Sequence, residues 1–136
     1  MTQEEKTLLL QDICGRLPYK VIVTNGCVQG ELLSIETNIP KAEEIVYFRI
    51  LSSSIVADTI SNIKSYLRPL LSMTKRERTE YNLYVSMTKI RDNDALTYSS
   101  CALIDWLNSR HFDYRGLIPM GLALEAPKDM YNTKTE

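Results

Sequence analysis

Residues 19–35 read as a β-hairpin. The β-branched run Val21-Ile22-Val23-Thr24 ends at Asn25-Gly26, the pair that best tolerates the positive φ angles of a tight hairpin turn. In the returning segment, Cys27 to Ile35, Leu33 and Ile35 lie two apart around Ser34, as in a strand with one buried and one wet face. A hairpin is marginal alone, so the rest of the chain must extend and cover it. Thr37 to Lys41 reads as a turn or loop. Glu44 to Leu51 is an apolar third strand suited to a place near the centre of a sheet, and Ile55 to Ala57 a short fourth one.

Covers are available at both ends. Thr2 and Glu5 have capping-box spacing, and Leu8, Leu9, Ile13 and Leu17 follow at near-helical intervals, which predicts a helix from Gln3 to Cys14. Thr74 and Glu77 repeat the box before a charged helix, Lys75 to Tyr84, with Val85 to Ile90 read as extended and Arg91 to Asp94 as a loop. Leu103, Ile104, Trp106 and Leu107 predict a helix from Cys101 to Arg110. Beyond it, Asp113 is placed to accept the free N–H groups of Arg115 or Gly116. Gly121 suits a left-handed reversal into a short packed tail. Between these, Ile60, Ile63 and Leu67 have helical spacing interrupted at Pro69, which predicts one or two turns feeding a loop.

The expectation is one α+β domain spanning residues 1–136. Residues 1–18 form an N-terminal helix, 19–67 a small bent antiparallel sheet, and 72–131 a mainly helical C-terminal layer. An SH3-like or partly open barrel and a simple meander under helices both satisfy the strand count. Only the final NTKTE reads as free to fray.

Composition narrows function by exclusion. Sixteen basic against seventeen acidic residues, divided seven to eight in residues 1–68 and nine to nine in 69–136, give no global field for nucleic acid or an acidic membrane. Cys14, Cys27 and Cys101 are odd in number and set among apolar residues, which reads as buried, reduced thiols in a reducing compartment. Neither a secretory leader nor a bilayer-length apolar span is evident, so a cytoplasmic location is expected. No cofactor is expected, and metal ligation is not, because one His and three scattered Cys lack the close pairs of a zinc site. His111 lacks a clear orienting carboxylate and nucleophile, so no catalytic residue is assigned.

Two groups stand as candidate interaction residues. Lys75, Arg76 and Arg78, with Lys89 and Arg91 as neighbours, form the one basic cluster, read either as a solvated helix face or as a weak, salt-sensitive phosphate patch. Tyr114 and Arg115 read either as an exposed interface pair or as a ring packed on Trp106 beside a carboxylate-paired guanidinium.

Three segments, Glu4 to Tyr19, Ile63 to Asn82 and Ile104 to Asn132, carry the phrases YLRP-LSMT and HFDYRGLI-GLALEAP. They resemble a group of short proteins encoded in gut Bacteroidales genomes, often within prophage-like or other mobile segments. The resemblance implies a shared fold and a mobile-element origin, and transfers no catalytic residue. The expected function is a non-catalytic interaction module acting on a protein partner or by self-association. A nucleic-acid-associated accessory protein using the basic helix is the alternative.

Overall fold

The computed structural model describes residues 1–38, 43–88 and 93–131. It is an α+β fold in which helices cover a curled, half-barrel sheet of six strands, ordered β4-β3-β2-β1-β5-β6. In chain order the elements are α1 Gln3–Arg16, β1 Ile22–Thr24, β2 Gln29–Asn38, β3 Glu43–Arg49, β4 Ile55–Thr59, β5 Lys64–Leu67, α2 Lys75–Met87, α3 Asn93–Ser109 and β6 Ala123–Glu125. Lys89, Arg91, the remainder of the Arg91–Asp94 loop before Asn93, most of the Thr37–Lys41 turn and the NTKTE tail lie outside the described residues.

Helix α1 begins as its sequence dictates. Thr2 Oγ1 accepts the Glu5 N–H at 3.1 Å and the Glu5 carboxylate accepts the Thr2 N–H at 3.0 Å. Leu9, Asp12, Ile13 and Arg16, spaced three and four apart, form its buried stripe. A 3₁₀ turn at Leu17–Tyr19 and a left-handed Lys20 then turn the chain into β1.

The hairpin forms, but its turn is not the tight two-residue kind. Thr24 pairs with Gln29, leaving four residues between them, and of Asn25 and Gly26 only Gly26 has positive φ (92°). Asn25 acts through its side chain: Oδ1 accepts the N–H groups of Cys27 and Val28, both at 3.0 Å. Further along β2 the register shifts between Leu32 and Ser34, a bulge that adds twist against β3. At Gly30 a Cβ would lie 1.9 Å from the Arg49 carbonyl oxygen, so only glycine allows β3 to approach there.

The curl follows from chain reach. Thr59 to Lys64 is five residue steps, at most about 17 Å of extended chain. In a flat sheet β4 and β5 would stand four inter-strand spacings apart, about 19 Å, before any offset along the strands. The connection also contains a 3₁₀ turn at Ile60–Asn62, so the sheet has to bend round to meet it. Asn25 at the end of β1 accordingly reaches Asp58 on β4, Nδ2 to Oδ2 3.2 Å.

Several sequence-based expectations are corrected. The stretch expected as helical turns contains β5, which pairs antiparallel with β1 and parallel with β6, so the sheet extends past residue 67 and the C-terminal layer is not wholly helical. Helix α2 continues through the segment expected to be extended, as far as Met87, and α3 starts eight residues before Cys101. Strand β3 lies next to edge strand β4 rather than at the sheet centre. The three cysteines are exposed, not buried.

The main core joins Leu9 and Ile13 of α1 to Val23, Leu32, Val46, Phe48 and Leu67 of the sheet and to Leu117 and Leu122. A second cluster centres on Trp106, Leu107 and Phe112, with Tyr81 and Tyr84 of α2 packed against it. Trp106 lies 5.8 Å from both the Tyr84 and Phe112 rings, which locks α2 to α3 and both to the end of β5.

Candidate functional site

The end of β5 is where the two cores meet. Beyond Leu67 the backbone continues as a single parallel bridge, with the Arg68 N–H donating to His111 O at 2.8 Å and the Asp113 N–H to Arg68 O at 2.9 Å. This places the Arg68 guanidinium 4.3 Å from the Phe112 ring centre and opposite the first turn of α2. It donates to both oxygens of Glu77, at 2.8 and 2.6 Å, and to Arg110 O at 3.3 Å.

Glu77 therefore has two roles. Its carboxylate also accepts the Thr74 N–H at 3.1 Å, while its own N–H donates to Thr74 Oγ1 at 3.1 Å. Burial alone would raise its pKa, but the hydrogen bonds from Arg68 and Thr74 and the charges of Arg68 and Arg110 hold it below the ordinary carboxylate value. Glu80, one turn on, accepts Trp106 Nε1–H at 2.9 Å and pairs with Arg110 at 3.5 Å.

A cleft of about 610 Å³ opens beside this network, between residues 68–74 and residues 125–131. Several polar groups of its walls bond within the chain. Arg68 is held by Glu77, Thr74 Oγ1 caps α2, and Ser72 Oγ donates to Pro69 O at 2.6 Å. The Tyr131 hydroxyl donates to Tyr66 O at 2.7 Å and accepts the Ile22 N–H at 2.8 Å, a rung between β1 and β5. The lining is mixed: Pro69, Ala126, Pro127 and Tyr131 give apolar surface, and Ser72, Glu125 and Lys128 are exposed beside them.

His111 lies behind this cleft rather than in its lining. Its backbone is left-handed, φ 63°, and its ring stacks on Tyr131 with centroids 3.8 Å apart and planes at 19°. Nδ1 is buried and has no hydrogen-bond partner among the described residues. Burial, then the charges of Arg16 and Arg68, push its pKa down to about 4. Asp113 does not orient it; that carboxylate accepts the N–H groups of Leu117 at 2.8 Å and Ile118 at 3.0 Å, two residues beyond the expected partners. His111 is thus neutral at pH 7, with no carboxylate behind it.

Compared with known proteins, the chain matches no family model, no curated protein and no solved structure. The site has to be read from its own chemistry.

The two groups singled out from sequence sit on different elements, and neither lines the cleft. Lys75, Arg76 and Arg78 are exposed in the first turns of α2; Arg76 lies 3.5 Å from Glu80 and Arg78 Nη2 reaches Leu70 O at 3.5 Å. The helix terminus beneath them already carries the Glu77 carboxylate, which lessens its pull on a second anion. Tyr114 and Arg115 are tied to α1 and α3. Tyr114 is half-buried beside the Trp106 cluster and donates to Asn108 Oδ1 at 2.8 Å, while Arg115 Nε lies 3.3 Å from Asp12. Among the described residues no group of His, Cys, Asp or Glu is disposed to hold a metal. Cys14, though exposed, has enough local burial to raise its thiol pKa, which lowers its reactivity.

His111 gives the fold a pH signature. Its folded value of about 4 lies below the ordinary 6.5, so the unfolded chain binds the proton more readily and stability is complete above about pH 6.5 and lost towards pH 4. Wild type is expected to lose up to about 2 kcal/mol between pH 7 and pH 5 from this group. Urea unfolding of wild type and His111→Asn at both pH values checks this, because asparagine tolerates the left-handed backbone and does not titrate. An equal loss in the variant would contradict the assignment.

Proposed function

We propose that this protein is a non-catalytic interaction module whose cleft between residues 68–74 and 125–131 receives a segment of a protein partner. One observation carries the reading: Arg68, Thr74 and Tyr131 in the cleft walls are engaged within the chain, leaving proline, alanine and tyrosine surface beside the exposed Ser72, Glu125 and Lys128, a mixed lining with one charge of each sign. Such a groove offers shape, apolar contact and a few polar and charged groups to a bound segment. Among the described residues its lining holds no nucleophile hydrogen-bonded to an orienting base. The two prolines restrict the walls, so less conformational freedom is lost on binding.

A cytoplasmic location belongs to the same proposal. Three exposed free thiols suit a reducing environment, and no described helix is long and apolar enough to cross a membrane. The mobile-element origin implied by the sequence resemblance is compatible with a small binding module. The competing reading, a nucleic-acid-associated accessory protein, rests on Lys75, Arg76 and Arg78. It predicts binding that weakens with salt and with Arg76→Glu and Arg78→Glu.

The test is capture from host lysate, with and without nuclease, using wild type, Ala126→Trp to fill the cleft, and the double Arg76→Glu/Arg78→Glu variant. The same protein is expected after nuclease, absent with Ala126→Trp and retained with the double variant. Recovery that needs intact nucleic acid and both arginines would favour the competing reading, and turnover dependent on His111 would overturn both.

A further inference from the structure

The Tyr131 hydroxyl occupies the place of a missing rung in the sheet. Leu32 N–H donates to Val21 O at 2.9 Å, so Val21 turns its backbone groups to β2 and, by alternation, Ile22 turns its own to β5. The β1–β5 ladder pairs Thr24 with Lys64 and Val23 with Ser65, which makes Ile22 and Tyr66 the next opposed pair. There the ladder stops. The Tyr131 hydroxyl accepts the Ile22 N–H at 2.8 Å and donates to Tyr66 O at 2.7 Å, joining through a side chain two groups that face each other across the strands. The segment that carries this tyrosine has few other ties. Ala126 N–H donates to Leu67 O at 2.8 Å, and beyond it residues 127–130 form a turn whose one hydrogen bond among the described residues, Met130 N–H to Pro127 O at 3.0 Å, is internal. Lys128 and Asp129 are exposed, the Tyr131 ring lies on that of His111, and the same segment forms one wall of the cleft.

We propose that residues 127–131 are a strap with two positions: latched, with the Tyr131 hydroxyl between β1 and β5, and open, with the hydroxyl withdrawn, Ile22 N–H donating directly to Tyr66 O and the cleft widened on that side. The use of the strap rests on the cleft reading above, since opening gives the partner segment room to enter. Withdrawal strands no backbone group. Two hydrogen bonds to the hydroxyl give way to one rung and to water around the freed tyrosine, so the two positions differ only by the small balance of such exchanges. A contact that is either made or replaced in this way is a two-state element.

NMR of the free full-length chain tests this with Tyr131→Phe, which keeps the ring and removes both hydrogen bonds. Staying latched would leave the Ile22 N–H and Tyr66 O unpaired between the strands, a cost that opening avoids. The scalar coupling across a hydrogen bond, from the Ile22 amide nitrogen to the Tyr66 carbonyl carbon, is expected to be absent from wild type and present in the variant. Amide exchange over residues 128–131 should rise about tenfold, the factor for one net hydrogen bond, while exchange in α1, β2 and β3 stays as in wild type. A neutral gadolinium chelate in solution should relax the Ser72 and Thr74 amides, on the facing wall, more strongly in the variant. Tyr131→Ala should show the same coupling. A coupling already present in wild type, its absence from both variants, or unchanged exchange in the strap or relaxation at Ser72 and Thr74 would overturn the proposal. So would variants that lose protection throughout the chain, because the hydroxyl would then be part of the fold and not a latch. Partner capture and its loss in Ala126→Trp are read independently: the strap can fail with the partner still captured, and the coupling can appear in a chain that captures nothing.

Discussion

Glu77→Ala is expected to lower the unfolding free energy by about 3–5 kcal/mol, the usual cost of removing one partner from a buried ion pair. The Glu77 side chain is wholly buried and that of Arg68 only 10 % exposed, so without the carboxylate the guanidinium keeps Arg110 O and the Phe112 ring but no close countercharge of its own. The same change removes half of the capping box that starts α2. Denaturant unfolding checks the magnitude. Replacing both partners, Arg68→Met with Glu77→Leu, should cost much less, since neither charge is then stranded. A loss below about 1 kcal/mol in the single variant would mean that water reaches the pair. The acid dependence differs from that of His111. Because Glu77's pKa is depressed, its stabilisation is present above the unfolded value near 4.3 and is lost as pH falls through the lower folded one.

Asp12→Ala should cost a similar 3–5 kcal/mol. Both side chains of the Asp12–Arg16 pair are completely buried; Arg16 Nε lies 2.8 Å and Nη2 3.1 Å from the carboxylate, and Nη2 also donates to Phe112 O at 2.7 Å. With Asp12 gone, that carbonyl and the Tyr114 ring, 5.2 Å away, are what remain around a buried cation. Arg115→Ala is the control. Its side chain is 31 % exposed and reaches the same carboxylate at 3.3 Å, so about 1 kcal/mol or less is expected. Equal losses for the two variants in urea titrations would contradict the central position given to Asp12 and Arg16.

How much of this is legible in the sequence depends on the range of the interaction. Both capping boxes are local, and Thr2 with Glu5 and Thr74 with Glu77 form as the spacing predicts. Gly121 adopts its left-handed backbone, φ 76°, for the same reason. Strand β5 is obscured because Ile60, Ile63 and Leu67 mimic a helical stripe while its other buried position is a serine, Ser65; pairing with β1 and β6 decides its state. The end of α2 is set by aromatic packing against α3, which the polar start of α3 does not announce.

The cleft is less legible still. Asp12 and Arg16 have a helical i,i+4 spacing that can be read, but Glu77 reads as a cap without revealing that it also receives Arg68. The two walls lie more than fifty residues apart in the chain, and Tyr131 acquires its role only when β1 and β5 present it with Ile22 and Tyr66. The apolar setting of the cysteines misleads because each thiol sits at an element surface, Cys27 in the hairpin turn and Cys14 and Cys101 on exposed helix faces.

Hydrogen exchange of the chain with and without its captured partner tests the cleft assignment most directly. Slowed exchange centred on residues 68–74 and 125–131, and lost in Ala126→Trp, is the predicted result. Protection confined to the first turns of α2 around Lys75, Arg76 and Arg78, and appearing only with nucleic acid, would contradict it.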